Sequence, residues 1–319
     1  MSSQPTRFAH QAVRVPATSA NLGPGFDSLG VAVSLYLRAR TVDRHADSEL
    51  VVTRGEGAGE VPTGNENLLW RSFVTGCEAF QAPVPDVVIE VDNDIPLERG
   101  LGSSSSAIVA GLALARACTA AVIGDLELVR IATDIEGHPD NVAPAILGGF
   151  VAAATADDGT LVTRSRQPSA DRRPVVFVPE HRQNTVAARG VVPESLTRTE
   201  VAEHGARIAM VVGGMTGAWP LHPGTVGDRL HETARLQVMG PSGALVHELR
   251  GRGIAAWLSG AGPTVAASVA RHQSVLDGFK AAEGFTRIEL DWDLAGTVTC
   301  GTDRCALSGM RGCVGCPWG

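Results

Sequence analysis

Lysine is nearly missing from this sequence: of 319 residues only Lys280 is a lysine, and every other basic residue is Arg or His. A phosphate-handling mechanism that needs a lysine at any other position is therefore excluded. Aromatic residues make up only 4%, so the cores must rest on the Val, Leu, Ala and Ile of an apolar fraction of 44%. Long apolar runs are missing too, and none reaches the roughly 20 residues of a membrane span. The first ten residues lack an apolar signal core, which points to a cytoplasmic protein. Positive charge is in short supply: the net charge is −7, spread without long runs. An acidic chain repels phosphate backbones, which argues against nucleic acid as a partner. Of six cysteines, Cys77 and Cys118 are isolated and expected to be reduced, and the other four crowd into the last twenty residues.

What is present fits two domains of about 150 residues each. Ala12 to Val15 alternates like a strand and is followed by a turn-rich segment, Pro16 to Asn21. Further strands are predicted at Val31–Thr41, Glu49–Arg54, Val87–Val91 and Gly148–Ala154. Helical spacing marks Asn67–Phe80 and Leu126–Ile135, and the almost uncharged Ala107–Cys118 reads as a buried helix. A stretch rich in Arg, Ser, Asp and Pro, Arg164 to Pro174, places a domain boundary. Beyond it the pattern gives a strand at Val175–Val178 and helices at Val201–Gly213, Val226–Val238 and Leu245–Arg250, then strands at Ala255–Leu258 and Val265–Val269. Strands and helices alternate without a clean βαβ repeat, which favours α+β over a doubly wound sheet.

Four segments carry candidate chemistry. Pro96-Leu97-Glu98-Arg99-Gly100-Leu101-Gly102-Ser103-Ser104-Ser105-Ser106-Ala107 joins tight-turning glycines to a helix start. Its serines supply hydroxyls and an N-cap, and the free N–H groups of the helix suit an anion, phosphate above all. It is neither a Walker loop nor a dinucleotide fingerprint, and the plain alternative is a loop that only caps a helix. Glu136-Gly137-His138-Pro139-Asp140-Asn141 offers carboxylates that can hold Mg²⁺, or is simply a helix end, a turn and a new helix start. Ser19-Ala20-Asn21-Leu22-Gly23-Pro24-Gly25-Phe26-Asp27-Ser28 can orient a polar substrate, or is an Asx turn. Leu258-Ser259-Gly260-Ala261-Gly262-Pro263-Thr264 is a second glycine loop, or a hairpin-like connection.

In their order and spacing these segments resemble the homoserine kinases, within the superfamily of galactose, homoserine, mevalonate and phosphomevalonate (GHMP) kinases. Pro16 to Asp27 looks like that family's first motif, Gly100 to Ser104 like the superfamily's ATP loop, and Leu258 to Thr264 like its third motif. Glu136 to Ala145, and Asp228-Arg229-Leu230-His231 with Arg235, are similar to homoserine kinase segments. The resemblance runs from about residue 12 to residue 299. It implies an α+β, two-domain GHMP kinase fold: a ribosomal S5 domain 2-like N-terminal domain over 1–165, a ferredoxin-like C-terminal domain over 170–299, and a Cys-rich tail over 300–319.

The resemblance also implies ATP- and Mg²⁺-dependent phosphorylation of L-homoserine at its side-chain hydroxyl, a step of threonine biosynthesis, in a homodimer. ATP is expected at Pro96, Gly100, Leu101, Gly102, Ser103, Ser104 and Ser105 with the adenine near Asn67, and Mg²⁺ on Ser104 and Glu136. Asn21, Asp27, His138, Thr185, Arg189, Arg235 and Gly260 match the substrate positions. Asp27, Glu136 and Asn141 make the catalytic set. Many superfamily members carry an aspartate base where this chain has Asn141, so the γ-phosphate itself is expected to take the hydroxyl proton. The rivals are another kinase of the superfamily, acting on a related hydroxylated compound, and a non-catalytic nucleotide-binding regulator; Ser104 and Glu136 speak against the latter. The last twenty residues depart from the family. Cys313-Val314-Gly315-Cys316 has zinc-site spacing, but the gap from Cys300 to Cys305 is longer than the usual pair, so the tail is read as a reduced extension.

Overall fold

A computed structural model describes residues 11–182, 190–271, 276, 279 and 283–301. Thr185, Arg189, Lys280 and the tail beyond residue 301 lie outside the described residues. In chain order the first half supplies β1 (Gln11–Asn21), β2 (Gly25–Asp43), β3 (Val51–Gly55), α1 (Leu68–Ala79), β4 (Val87–Asn93), α2 (Ser103–Thr119), α3 (Asp125–Glu136), α4 (Pro139–Leu147), β5 (Phe150–Thr155) and β6 (Leu161–Arg166). The second half supplies β7 (Arg172–Pro179), α5 (Arg198–Thr216), α6 (Glu232–Val238), α7 (Gly240–Gly251), β8 (Ala255–Leu258), β9 (Val265–Ala270), β10 (Phe285–Glu289) and β11 (Val298–Gly301). The architecture is the expected α+β. One sheet runs β11-β1-β2-β4-β3, with β5 added to β2 and β6 to β5, and a second runs β10-β7-β9-β8. No helix among the described residues is long and apolar enough to cross a membrane.

The uncharged α2 is explained by its surroundings. A Cβ on Gly111 would lie 2.4 Å from the Leu69 carbonyl of α1, and one on Gly76 would lie 2.7 Å from Ala115 of α2, so the two helices touch backbone to backbone. Ile108, Leu112 and Leu114 are fully or almost fully buried between α1 and the sheet. β7 is apolar at consecutive positions because both its faces are covered. Val176 and Val178 join the core shared with the first sheet, and Val175 and Phe177 join the core formed with α7. Cys77 and Cys118 are buried, unpaired thiols, and burial pushes both up to about 11.

Several sequence expectations need correction. Pro16–Asn21 is not a turn but the second half of β1; Pro16 has no N–H to give, and the register shifts at Pro16/Ala17. The helix expected over Val226–Val238 starts only at Glu232, because the Asp228 carboxylate takes the N–H groups of His231 and Glu232. The serines do not cap α2: the cap is Gly102, in the left-handed region at φ 71°, with no side-chain hydrogen bond. Residues 298–301, at the junction of the expected C-terminal domain and tail, pair antiparallel with β1, Val13 opposite Thr299, in the first sheet.

Candidate active site

The segments singled out in the sequence converge on one cavity of about 500 Å³. Its phosphate end is the start of α2. The first helical hydrogen bond runs from Ser106 N to the Gly102 carbonyl at 2.8 Å. The N–H groups of Ser103, Ser104 and Ser105 therefore have no partner within the helix, and no acidic residue in the first turn competes for an anion. Only glycine suits position 102, where a Cβ would come within 2.1 Å of Thr18 Oγ1 and 3.2 Å of Asn141 Oδ1. Not every residue expected here reaches the cavity. Pro96 and Leu101 are buried behind the loop and do not line it, and Leu101 instead accepts the Thr18 N–H through its carbonyl.

Glu136, the last residue of α3, faces this loop. Its Oε1 accepts from Ser105 Oγ at 2.7 Å, and its Oε2 lies 3.5 Å from Ser104 Oγ. Ser105, expected only at ATP, is thus closer to Glu136 than Ser104, the expected metal ligand. Asn67 lines the far wall, but its side chain mainly caps α1. Oδ1 takes the N–H groups of Leu69 and Trp70 at 2.9 and 3.2 Å, and Nδ2 donates to the Pro62 carbonyl at 2.6 Å.

The substrate end gathers side chains from both halves of the chain. Asn21 and Asp27 stand at either side of the β1–β2 turn, both in the left-handed region at φ 69° and 53°, and Asn21 Oδ1 accepts the Asp27 N–H at 3.1 Å. Asn21 Nδ2 reaches across to the Gly260 carbonyl at 2.9 Å, and Arg235 Nη1 donates to the same carbonyl at 3.2 Å. His138 and Asn141, at the start of α4, complete the wall. Asn141 Oδ1 accepts from Thr18 Oγ1 at 2.8 Å, which fixes the orientation of the amide; a carboxamide is too weakly basic to take a hydroxyl proton.

Sequence reasoning offered Asp140 only as one carboxylate of its segment and missed its pairing with His138. It is buried, sits 2.5 Å from His138 Nδ1 through Oδ1, and groups with Asp27 and His138, their ligand atoms all within 4.8 Å of one another. Burial alone would lower the His138 pKa, but the Asp140 hydrogen bond and the charges of Asp140, Asp27 and Glu136 outweigh it and raise it. The missing signal is tertiary: a Cβ on Gly30 would lie 1.7 Å from the Asp140 carbonyl, so it is β2 that holds this turn in place.

An anion cradle at a helix start, facing a polar wall inside an α+β pair of sheets, is the build of a small-molecule kinase. The family model for the GHMP kinases N terminal domain matches residues 67–149. A homoserine kinase of Streptomyces coelicolor is 44% identical over 84% of this chain and 87% of its own length. Another, of Streptomyces avermitilis, is 41% identical over 93% and 97%. The crystal structure of homoserine kinase from Cytophaga hutchinsonii has the same fold, with a TM-score of 0.76 at 22% identity, over 94% of this chain and all of that one. The chain belongs to the homoserine kinase family of the GHMP kinases.

Proposed function

We propose that this cavity binds ATP and L-homoserine and transfers the γ-phosphoryl group to the side-chain hydroxyl, giving O-phospho-L-homoserine for threonine biosynthesis. The observation that carries the reading is the arrangement of the cavity: an anion cradle at the α2 start faces Asn141, His138, Asp27 and Arg235 across one open cleft. Phosphoryl transfer asks for placement and charge neutralisation more than covalent help. The Ser103–Ser105 amides hold the β-phosphate. Asn141 donates beside the transferring group, and with no base in its place the phosphate takes the hydroxyl proton.

The oxygen donors of Glu136, Ser104 and Ser105 fit Mg²⁺, which prefers oxygen ligands and keeps substrate phosphates in its shell. Bound between Glu136 and Ser104, the ion would neutralise charge on the β- and γ-phosphate oxygens. Asp27 holds the ammonium or hydroxyl of the amino acid. Arg235, together with Arg189, holds its carboxylate, for which the planar guanidinium offers a bidentate fork. A cytoplasmic homodimer belongs to the same reading and is supported by the family resemblance alone.

Steady-state ATP consumption with a panel of alcohols tests the proposal. Turnover of L-homoserine above all others is expected. Turnover of mevalonate or a sugar, with homoserine ignored, would leave only the superfamily assignment.

A further inference from the structure

Arg235 is held from behind. Its Nη1 also donates to Nδ1 of His231 at 3.1 Å. A guanidinium keeps all its protons, so His231 Nδ1 must be the acceptor and the ring proton must sit on Nε2. The other side of the ring agrees. Nε2 lies 2.7 Å from the Gly23 carbonyl, which can only accept, and 2.7 Å from Asp228 Oδ2. One N–H cannot serve both fully; Oδ2 has no hydrogen bond of good angle and acts on the ring by charge and proximity. Phe26 closes the remaining face, stacked 5.1 Å from the imidazole and 5.4 Å from the guanidinium carbon of Arg235.

Asp228, His231 and Arg235 are 4%, 0% and 2% exposed. Burying three such groups is a poor way to gain stability, since an apolar set of the same shape would do as well or better. Nor is His231 needed to anchor α6. The neighbouring Glu232 already ties that helix to α7, through Arg250 at 2.7 Å, and to β8, through the Leu258 N–H at 3.0 Å. What the imidazole adds is a fixed acceptor behind one nitrogen of the guanidinium that lines the cavity.

We propose that His231 is a positioning residue: a neutral imidazole, kept as the Nε2–H tautomer by Gly23 and Asp228, that sets the orientation of Arg235 toward the carboxylate of an α-amino acid substrate. The proposal rests on the reading of Arg235 as carboxylate ligand given above. The sequence marks His231 as part of a family-like segment but gives it no role.

Two substitutions separate the ring nitrogens. An asparagine amide reaches about as far as Nδ1 and can present its oxygen to Arg235; a glutamine amide reaches about as far as Nε2 and can still serve Gly23. His231→Gln is expected to raise KM for the amino acid about tenfold, the size of one hydrogen bond to a charged group. KM for ATP and kcat stay near wild type. His231→Asn is expected to keep KM for the amino acid within about twofold of wild type. In an Arg235→Ala background His231→Gln should add nothing, because it acts only through the missing arginine. If Arg235→Ala raises KM and His231→Gln does not, the proposal is overturned while the carboxylate reading stands. If Arg235→Ala leaves KM unchanged, the carboxylate reading fails and the proposal falls with it. Should thermal melting show His231→Gln unfolded, His231→Asn decides: a KM rise as large as that of Arg235→Ala overturns the proposal, and a wild-type KM upholds it.

Discussion

The hydroxyl of Ser259 donates to the carbonyl of Gly100 at 2.6 Å, and its oxygen lies 2.8 Å from the hydroxyl of Ser19, which accepts the indole N–H of Trp257 at 3.0 Å. The phosphate loop is thereby fastened to the second sheet, with no room to spare. A Cβ at Gly100, where φ is 81°, would lie 2.3 Å from the Ser259 carbonyl oxygen. Ser259→Ala is expected to destabilise the protein by about 1–3 kcal/mol, the cost of leaving buried polar groups without a partner. It should also raise KM for ATP several-fold more than KM for homoserine. Urea unfolding with initial-rate kinetics checks both; wild-type values in each would show that the contact is incidental.

Glu136→Ala should lower kcat by about 10²-fold or more, because the metal charge it helps to place stabilises the transition state by several kcal/mol. Rates measured across a magnesium titration test this. A near-wild-type rate at ordinary Mg²⁺ would mean that Glu136 only ends α3. Ser105→Ala, which removes the 2.7 Å contact that holds the carboxylate, should cost about tenfold or less, in keeping with one hydrogen bond to a charged group.

Gly102→Ala places a methyl group 2.1 Å from Thr18 Oγ1 at a left-handed backbone position. The loop must shift, and a misplacement of about 1 Å typically costs 10²-fold in rate. The expected result is a loss in kcat of that order. Thermal melting of the same variant separates a misplaced loop from an unfolded one. A folded variant with full activity would show that the α2 start does not hold the phosphates.

Tyr36 is the only tyrosine in the chain, so its ionisation can be followed by tyrosinate absorbance without interference. Burial, then the charge and hydrogen bond of Asp293 at 3.0 Å, push its pKa from 10.0 to about 12, against the opposing charges of Arg14 and Arg38. The folded state resists a deprotonation that the unfolded chain undergoes near pH 10.0. The stability linked to Tyr36 is therefore complete below that pH and drains away as pH rises toward the folded-state value. Asp293→Asn should bring the titration part of the way back, burial being the larger cause. An unshifted midpoint near 10 in the native wild type would contradict the packing around β2.

Much of the site was legible because glycine and proline mark backbone constraints locally. The loop Gly100–Gly102, the turn Asn21–Asp27 and the Glu136–Asn141 segment announce themselves by composition, whereas Asn67 enters the site only through the family resemblance. What stayed hidden depends on partners far away in the chain. Thr18 looked like part of a turn, yet its hydroxyl orients Asn141, 123 residues later. Asp140 could be placed in the motif but not buried against β2. The short strands β6, β10 and β11 carry little alternation of their own, and their pairing is decided by the edges they meet. Asp228–His231 looked helical by periodicity, until the Asp228 side chain claims the N–H groups that would have continued the helix backward.

The pairing of β1 with β11 has a consequence for synthesis. Val13 is synthesised long before its partner Thr299. Until then the outer edge of β1 has bare amides and carbonyls, open to any other strand that passes. The Gly100 loop likewise waits for Ser259. A nascent chain halted anywhere before residue 298 thus has an unfinished first sheet and an open edge, a species prone to wrong pairing and dependent on chaperones. Translation pauses ahead of the β11 codons would lengthen that exposure, and speed through them would shorten it.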